Sequence, residues 1–158
     1  MQSIVKCLLM KHQKMKVRAM SSVSFTVPGP PKGKARARTV HTGGRTFSYT
    51  PEGTVLYENL VKTCFYQTGA HPFDADEELK ANIIAHYPIA KSTGKKKRQQ
   101  MLAGLIRPTK KPDLDNVIKS ILDALNKVAY HDDTQIVSLS VEKFYSDSPR
   151  VEVTISSI

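Results

Sequence analysis

The sequence has few cysteines and no low-complexity or repeated segment. Cys7 and Cys64 lie far apart and match no zinc-ligand spacing, so they indicate neither a disulfide framework nor a metal knuckle. With 158 residues, of which 40% are hydrophobic, the chain is typical of one globular domain. We expect that domain to work in a reducing compartment, the cytoplasm.

Long hydrophobic segments are missing near the N-terminus. The longest apolar run there is CLLM, bracketed by Lys6 and Lys11, which is too short for a signal sequence or a membrane span. We therefore expect no membrane association. Residues 1–20 hold five Lys or Arg and no acidic residue. We interpret them as a dispensable basic extension, with a DNA-touching arm as the alternative, and place the domain at residues 21–158.

Acidic residues are scarce: 14 Asp and Glu stand against 24 Lys and Arg, which gives a formal net charge of +10. Basic clusters bind polyanions because they release counterions from phosphate backbones. Nucleic acid is therefore the expected partner; an acidic membrane surface, the other polyanion that such charge suits, ranks below it, and we expect no membrane partner.

Hydrophobic periodicity predicts an α+β domain. Alternating apolar residues predict four strands, at residues 23–29, 79–89, 135–144 and 150–156, with SDSP as a hairpin-like turn between the last two. The segment after Thr50 predicts a helix with Thr50 as N-cap and Pro51 at its first position. STGKKKRQQMLAG predicts a short basic helix that ends at Gly104. A third helix follows in the acidic stretch described below, so we expect one mixed sheet of about four to five strands with about three helices packed on it.

Positive charge concentrates in a few segments. PPKGKARARTVHTGGRT, residues 30–46, places cations among glycines and prolines, which predicts a mobile loop that is either simply solvated or in contact with phosphates. The candidate DNA-binding residues are Lys32, Lys34, Arg36, Arg38, Arg45, Lys95, Lys96, Lys97, Arg98, Lys110, Lys111 and Asn116.

The stretch KKPDLDNVIKSILDALNKVAYHDDTQI, residues 110–136, holds five of the 14 acidic residues. Its apolar residues fall on one side of a helix, which by itself predicts an amphipathic helix capped by Asp115. In that interpretation Lys119 makes ordinary i,i+4 pairs with Asp115 and Asp123.

A second interpretation accounts for Asp113, which precedes this helix and follows Pro112. Residues i and i+2 of an extended segment point the same way, so DLD can aim two carboxylates at one point. HDD, before the next strand, could bring a third carboxylate when the helix packs back on the sheet. Such a cluster suits Mg²⁺ and, in a basic protein, indicates metal-assisted phosphodiester cleavage.

The short DxD pattern also occurs in haloacid-dehalogenase-type phosphatases and sugar-nucleotide transferases. The phosphatase pattern needs a hydrophobic strand before the first Asp, whereas IRPTKKP is basic and broken by proline. An EF-hand is excluded because DLDNVIKSILDA lacks the mid-loop glycine and has apolar residues where ligands should be.

Both acidic motifs resemble the RusA family of Holliday junction resolvases, whose site is formed by Asp-x-Asp-Asn, a lysine four residues after the second Asp, and a later Asp-Asp-x-Gln. FTVPGPPKGKARAR and YTPEGTVLYENLV resemble the opening of members from Gram-positive bacteria and their phages. The resemblance runs from about Ser22 to Ile158 and leaves out residues 1–20.

The resemblance implies that Asp113, Asp115 and Asp133 are the catalytic, metal-binding carboxylates and that Lys119 is the essential lysine. Asp132 matches the first residue of the family's Asp pair, and it is either a further metal ligand or a turn residue before the strand. The implied cofactor is Mg²⁺, with Mn²⁺ able to replace it.

The implied activity is that of a homodimer that binds four-way junction DNA and nicks two strands of like polarity symmetrically, in recombination and repair. A two-fold dimer offers two equivalent sites to a junction of approximate two-fold symmetry. In each site Mg²⁺ would activate a water, and Lys119 would stabilise charge on the phosphate. The rivals are a non-catalytic junction- or duplex-binding protein and a phosphatase that acts through an aspartyl-phosphate.

Overall fold

The computed structural model describes residues 21–158, so the interpretation of residues 1–20 as an extension lies outside the described residues. The elements are β1 Ser22–Pro28, β2 Arg38–Thr42, β3 Arg45–Tyr49, α1 Glu52–Gln67, β4 Leu79–Pro88, α2 Lys95–Leu102, α3 Leu114–Leu125, a 3₁₀ turn Asp133–Gln135, β5 Ile136–Ser146 and β6 Arg150–Ser157. This content confirms the predicted α+β domain.

The main sheet has four strands in the order β1-β6-β4-β5. β4 and β5 are parallel, while β6 runs antiparallel to both of its neighbours, β1 and β4. The sheet is therefore mixed, as expected. The predicted hairpin between the last two strands is wrong. β5 and β6 are not neighbours in the sheet, because β4 lies between them and pairs with both.

One face of the sheet forms the core. Alternate residues of β4, from Leu79 to Tyr87, are buried, as the period of two requires. α1 and α3 contact each other as part of this core, and α3 contributes Val117, Ile121 and Leu125, all fully buried. Burying each such side chain contributes roughly 1.5–3 kcal/mol, so the apolar stripe of α3 fixes its orientation on the sheet. Among the described residues no helix is long and apolar enough to cross a membrane.

Both predicted helix caps are wrong by one or two residues. α1 begins at Glu52 with Pro51 at the N-cap, because the amides of Thr54 and Val55 both donate to the Pro51 carbonyl. α3 begins at Leu114, and its N-cap is Asp113, whose carbonyl accepts from Val117 N at 3.1 Å. The predicted end of the short basic helix is confirmed. Gly104 follows α2 and its C-cap residue, and it has a φ of +75°.

Residues 38–49 are a two-stranded ribbon, and the prediction of a mobile loop there is wrong. β2 and β3 pair in register from Arg38–Tyr49 to Thr42–Arg45. The connecting Gly43 and Gly44 have φ values of +56° and +74°, which only glycine adopts freely. Two consecutive residues of positive φ form the tight turn that matches the twist of paired strands.

Candidate active site

Asp113 and Asp115, together called the carboxylate pair, lie at the start of α3. Asp113 has extended φ and ψ of −71° and 160°, and Asp115 lies in the first helical turn. The Asn116 side chain donates to Asp113 Oδ1 at 2.7 Å. That hydrogen bond is the main cause of a lowered pKa for Asp113, and nearby Asp115 and Lys111 add to it. Asp113 is therefore ionised at neutral pH while remaining open to solvent.

Lys119 lies one turn beyond Asp115 on the same helix face. Its Nζ is 3.4 Å from Asp115 Oδ2, and both side chains are more than half exposed. The predicted pair with Asp115 is confirmed, but the pair with Asp123 is wrong, because Asp123 accepts from Lys34 instead. An exposed i,i+4 pair stabilises a helix by only about 0.3–0.5 kcal/mol.

Residues 31–37, here called the strap, lie across the first half of α3. The amide of Lys34 donates to the Asn116 carbonyl at 2.9 Å. The Ser120 hydroxyl, which is buried, donates to the Lys32 carbonyl at 2.7 Å. These two bonds fix the strap's backbone beside the carboxylate pair.

The Lys34 side chain ties the strap to both helices. Its ammonium donates to Asp123 of α3 and lies 3.2 Å from Glu58 Oε1 of α1. Burial opposes the charge, but the hydrogen bonds to Asp123 and Glu58 outweigh it and raise the pKa of Lys34. Sequence reasoning assigned Lys34 to DNA phosphates. In the structure its ammonium forms ion pairs with the carboxylates of Asp123 and Glu58.

The strap and α3 enclose an open groove, here called the carboxylate groove. The strap contributes Arg36, and α3 contributes the carboxylate pair and Lys119. Its complete lining is Gly33, Lys34, Ala35, Arg36, Ala37, Lys111, Pro112, Asp113, Asp115, Asn116, Lys119 and Asp123. The groove therefore faces anionic and cationic side chains toward the same space.

Three long side chains fix the start of α3 to one end of the sheet. Tyr87 Oη donates to the Pro112 carbonyl at 2.6 Å, and Lys110 Nζ donates to the Pro88 carbonyl at 3.0 Å. Lys143 Nζ donates to the Lys110 carbonyl at 2.9 Å. Sequence reasoning missed Tyr87 and Lys143, because their contacts join positions far apart in the chain.

Asp132 is the N-cap of the 3₁₀ turn before β5, and Asp133 is the first residue of that turn. Asp132 Oδ1 accepts from Thr134 N at 3.0 Å, and this bond lowers the pKa of Asp132. The buried Gln135 side chain accepts from Asp132 N at 3.2 Å, which completes a capping box. Of the two interpretations left open for Asp132, the turn residue is the one with visible contacts.

Asp133 lies at the opposite end of the sheet from the carboxylate pair. Asp133 begins the turn that leads into Ile136, and Ile136 pairs with the first residue of β4. The start of α3 lies at the other end of these strands, where Tyr145 pairs with Tyr87. At about 3.3 Å per residue, the stretch of β4 from Leu79 to Tyr87 places these two levels of the sheet on the order of 20–30 Å apart.

The expectation that three carboxylates converge within one chain is therefore wrong. α3 runs back along the sheet from the end where it starts, so Asp133 emerges near the other end. Within residues 21–158 no group of three or more His, Cys, Asp or Glu side chains is placed to hold a metal ion. The carboxylate pair alone still suits Mg²⁺, which commonly takes one or two carboxylates and completes its shell with water and substrate phosphate.

The other predicted DNA-binding residues lie on α2, on the ribbon and just before α3. Lys95, Lys96 and Lys97 are exposed on α2, while Arg98 donates to Asp147 at 2.5 Å. Lys110 lies 5.3 Å above the Tyr145 ring, close to the carboxylate pair, and Arg38 and Arg45 lie on the ribbon. Their contact with DNA stays a prediction.

Comparison with known proteins identifies the family. A family model described as endodeoxyribonuclease RusA matches residues 28–156, which include the strap, α3 and both acidic motifs. The chain belongs to the RusA family. YqaN, an uncharacterized protein of Bacillus subtilis (strain 168), is 35% identical over 140 residues, covering 88% of this chain and 99% of that protein. The crossover junction endodeoxyribonuclease rusA of Lactococcus phage r1t is 31% identical over 104 residues, 65% of this chain and 66% of the phage protein.

Substitution of Gly33 tests whether the strap packs closely against α3 in this RusA-family chain. A Cβ at position 33 would lie 3.0 Å from the Cβ atoms of Asn116 and Pro112, so Gly33→Ala should lower the free energy of unfolding by roughly 1–3 kcal/mol. Gly53→Ala is the control, because its Cβ would meet open space at the start of α1 and should leave stability equal or slightly higher. Urea unfolding measures both. Equal stabilities for the two variants would contradict the close packing.

Proposed function

We propose that the chain is a homodimeric endonuclease that resolves four-way DNA junctions by Mg²⁺-dependent, paired and symmetric phosphodiester hydrolysis, in recombination and repair. The carboxylate groove is the main support for this proposal. There the ionised Asp113 faces the cationic strap, in a RusA-family chain of net charge +10. A cytoplasmic location is expected on the sequence evidence alone.

Asp113 and Asp115 would hold the Mg²⁺, or Mn²⁺ in its place, and the bound ion would supply an activated water near phosphorus. Lys119 would place its ammonium against the phosphate oxygens that gain charge as the bonds change. Arg36, across the groove, would hold a flanking phosphate and so align the backbone with the carboxylates.

The separation of Asp133 from the carboxylate pair supports a dimer. If Asp133 acts in catalysis, a second protomer must bring it to the pair, because the chain's own Asp133 lies at the far end of the sheet. A two-fold axis would then form two equivalent sites, each from the carboxylate pair of one protomer and the Asp133 of its partner.

β5 offers a surface for this dimer. It is an edge strand of the main sheet, with Val137 and Leu139 respectively 58% and 44% exposed directly after the 3₁₀ turn that holds Asp133. Exposed apolar edge strands readily pair with another chain. Antiparallel contact between two β5 strands would bring the start of one toward the end of the other, and hence Asp133 toward the partner's carboxylate pair.

A non-catalytic branched- or duplex-DNA-binding protein is the second candidate. The Asp115–Lys119 pair and the Asp132 capping box are ordinary stabilising features of a helix and a turn. Binding of DNA without cleavage in Mg²⁺ would favour this candidate.

The principal test is cleavage of a synthetic four-way junction, with and without Mg²⁺, on a denaturing gel. We expect cleavage only with Mg²⁺, and at symmetric positions on two strands. Asp113→Asn, Asp115→Asn and Asp133→Asn should each abolish it while leaving binding intact or tighter, because Asn removes a negative charge that repels phosphate.

Glu52→Gln is the matched control for Asp115→Asn. Glu52 also lies in the first turn of a helix, so its neutralisation has a similar effect on the helix dipole, but it stands outside the carboxylate groove. It should cut at the wild-type rate. Any of the three Asn variants that also cuts at that rate would have been assigned wrongly.

Lys119 distinguishes a transition-state role from a helix-surface role. Lys119→Ala should slow single-turnover junction cleavage about a hundredfold at saturating Mg²⁺, equivalent to about 3 kcal/mol of barrier, with normal binding and folding. Lys62→Ala is the control: Lys62 is a partly exposed residue of α1 outside the groove, and its loss should leave the rate unchanged. A Lys119→Ala rate within about twofold of wild type would return Lys119 to a simple i,i+4 partner.

A further inference from the structure

The β2–β3 ribbon has two chemically different faces, although every residue in both strands is exposed. Because side chains alternate along a strand, the cross-strand pairs Thr39–Ser48 and His41–Thr46 share one face. The opposite face carries the pairs Arg38–Tyr49, Val40–Phe47 and Thr42–Arg45.

The first face satisfies its own polar groups. The hydroxyls of Thr39 and Ser48 are hydrogen-bonded at 3.1 Å, and His41 Nδ1 is 2.9 Å from the Thr46 hydroxyl. This face therefore has hydrogen bonds within the ribbon that hold the two strands together.

The opposite face, here called the Phe47 face, exposes apolar surface to solvent. Val40, Phe47 and Tyr49 are 43%, 56% and 48% exposed, and they lie next to one another across the two strands. Arg38 and Arg45 flank them on the same face. A row of aromatic and apolar side chains between two guanidinium groups combines a stacking surface with anion binding.

Charge indicates which partner this face fits. Residues 21–51 contain no Asp or Glu, so every ionised side chain on the ribbon and on the strap before it is positive. Phosphates complement the arginines, and nucleobases stack on aromatic rings whatever their sequence. Nucleic acid with unstacked bases meets both requirements at once.

The ribbon begins beside the carboxylate groove. Arg36 of the groove precedes β2 by two residues, and the amide of Ala35 donates to the Thr54 hydroxyl of α1 at 3.3 Å. The segment that leads into the ribbon is thus fixed to α1, the helix that follows the ribbon. DNA held by the Phe47 face would lie next to the carboxylate pair.

We infer that the β2–β3 ribbon recognises the branch point, with Phe47 and Tyr49 stacking on bases at the centre of a four-way junction and Arg38 and Arg45 holding the adjacent phosphates. This inference rests on the proposed function and names the element that gives it selectivity. In an open junction the base pairs that border the branch point lack a stacked neighbour on one side. A continuous duplex offers no such base, so the Phe47 face favours the branched structure.

The test measures binding in EDTA, so that it does not depend on cleavage. A four-way junction with 2-aminopurine beside the branch point and a duplex of the same sequence are titrated with each protein. Phe47→Ala and Phe47→Leu should each weaken junction binding about tenfold and remove the change in base fluorescence, because stacking contributes roughly 1–3 kcal/mol per base. Duplex affinity should not change, and Phe47→Trp should retain junction preference.

Ser48→Ala is the control on the opposite face and should bind both DNAs as wild type does. Thermal unfolding should be the same for all variants, since the Phe47 ring is exposed. Junction affinity that survives in Phe47→Ala overturns the inference, as does a change in oligomeric state on sedimentation, which would assign the face to a second copy of the chain. The proposed function fails in a separate readout, namely absence of junction cleavage by the wild-type protein in Mg²⁺.

Discussion

The ion pairs of Lys34 organise the end of the molecule that holds the carboxylate groove. One ammonium joins Glu58 of α1 to Asp123 of α3 and so holds the strap across the start of α3. The strap places Arg36 opposite the carboxylate pair and carries the chain into the β2–β3 ribbon. A cation that sequence reasoning assigned to DNA thus pairs with two carboxylates of the protein, and Arg36, which we propose binds a phosphate, depends on it for its position.

Local patterns predicted the elements well, because helix and strand periodicity depends on neighbours in the sequence. The apolar stripe through Val117, Ile121 and Leu125 and the alternation of β4 are of this kind. The ribbon was missed although Gly43 and Gly44 between alternating residues are a turn signal, because the density of cations there suggested a loop. The pairing order of the last strands depends on contacts across the sheet, which periodicity does not contain.

The acidic motifs were recognised from sequence, but their arrangement in space was not. The two motifs are only about 20 residues apart in the chain, and nothing in their spacing says that α3 lies between them along the length of the sheet. Once the core fixes α3 against α1 and β5, Asp133 and the carboxylate pair are held at opposite ends of the sheet. A catalytic role for all three carboxylates would therefore require two protomers, and the proposed homodimer would supply them as well as match the junction symmetry.

Complementation between two inactive variants tests this shared site most directly. Heterodimers of Asp115→Asn and Asp133→Asn, isolated after co-expression with two different affinity tags, carry one site with both substitutions and one with neither if the site is formed between protomers. We expect these heterodimers to nick a four-way junction in Mg²⁺ on one strand of the pair, while each homodimeric variant does not. If the heterodimers are as inactive as the parents, the site is not shared between protomers.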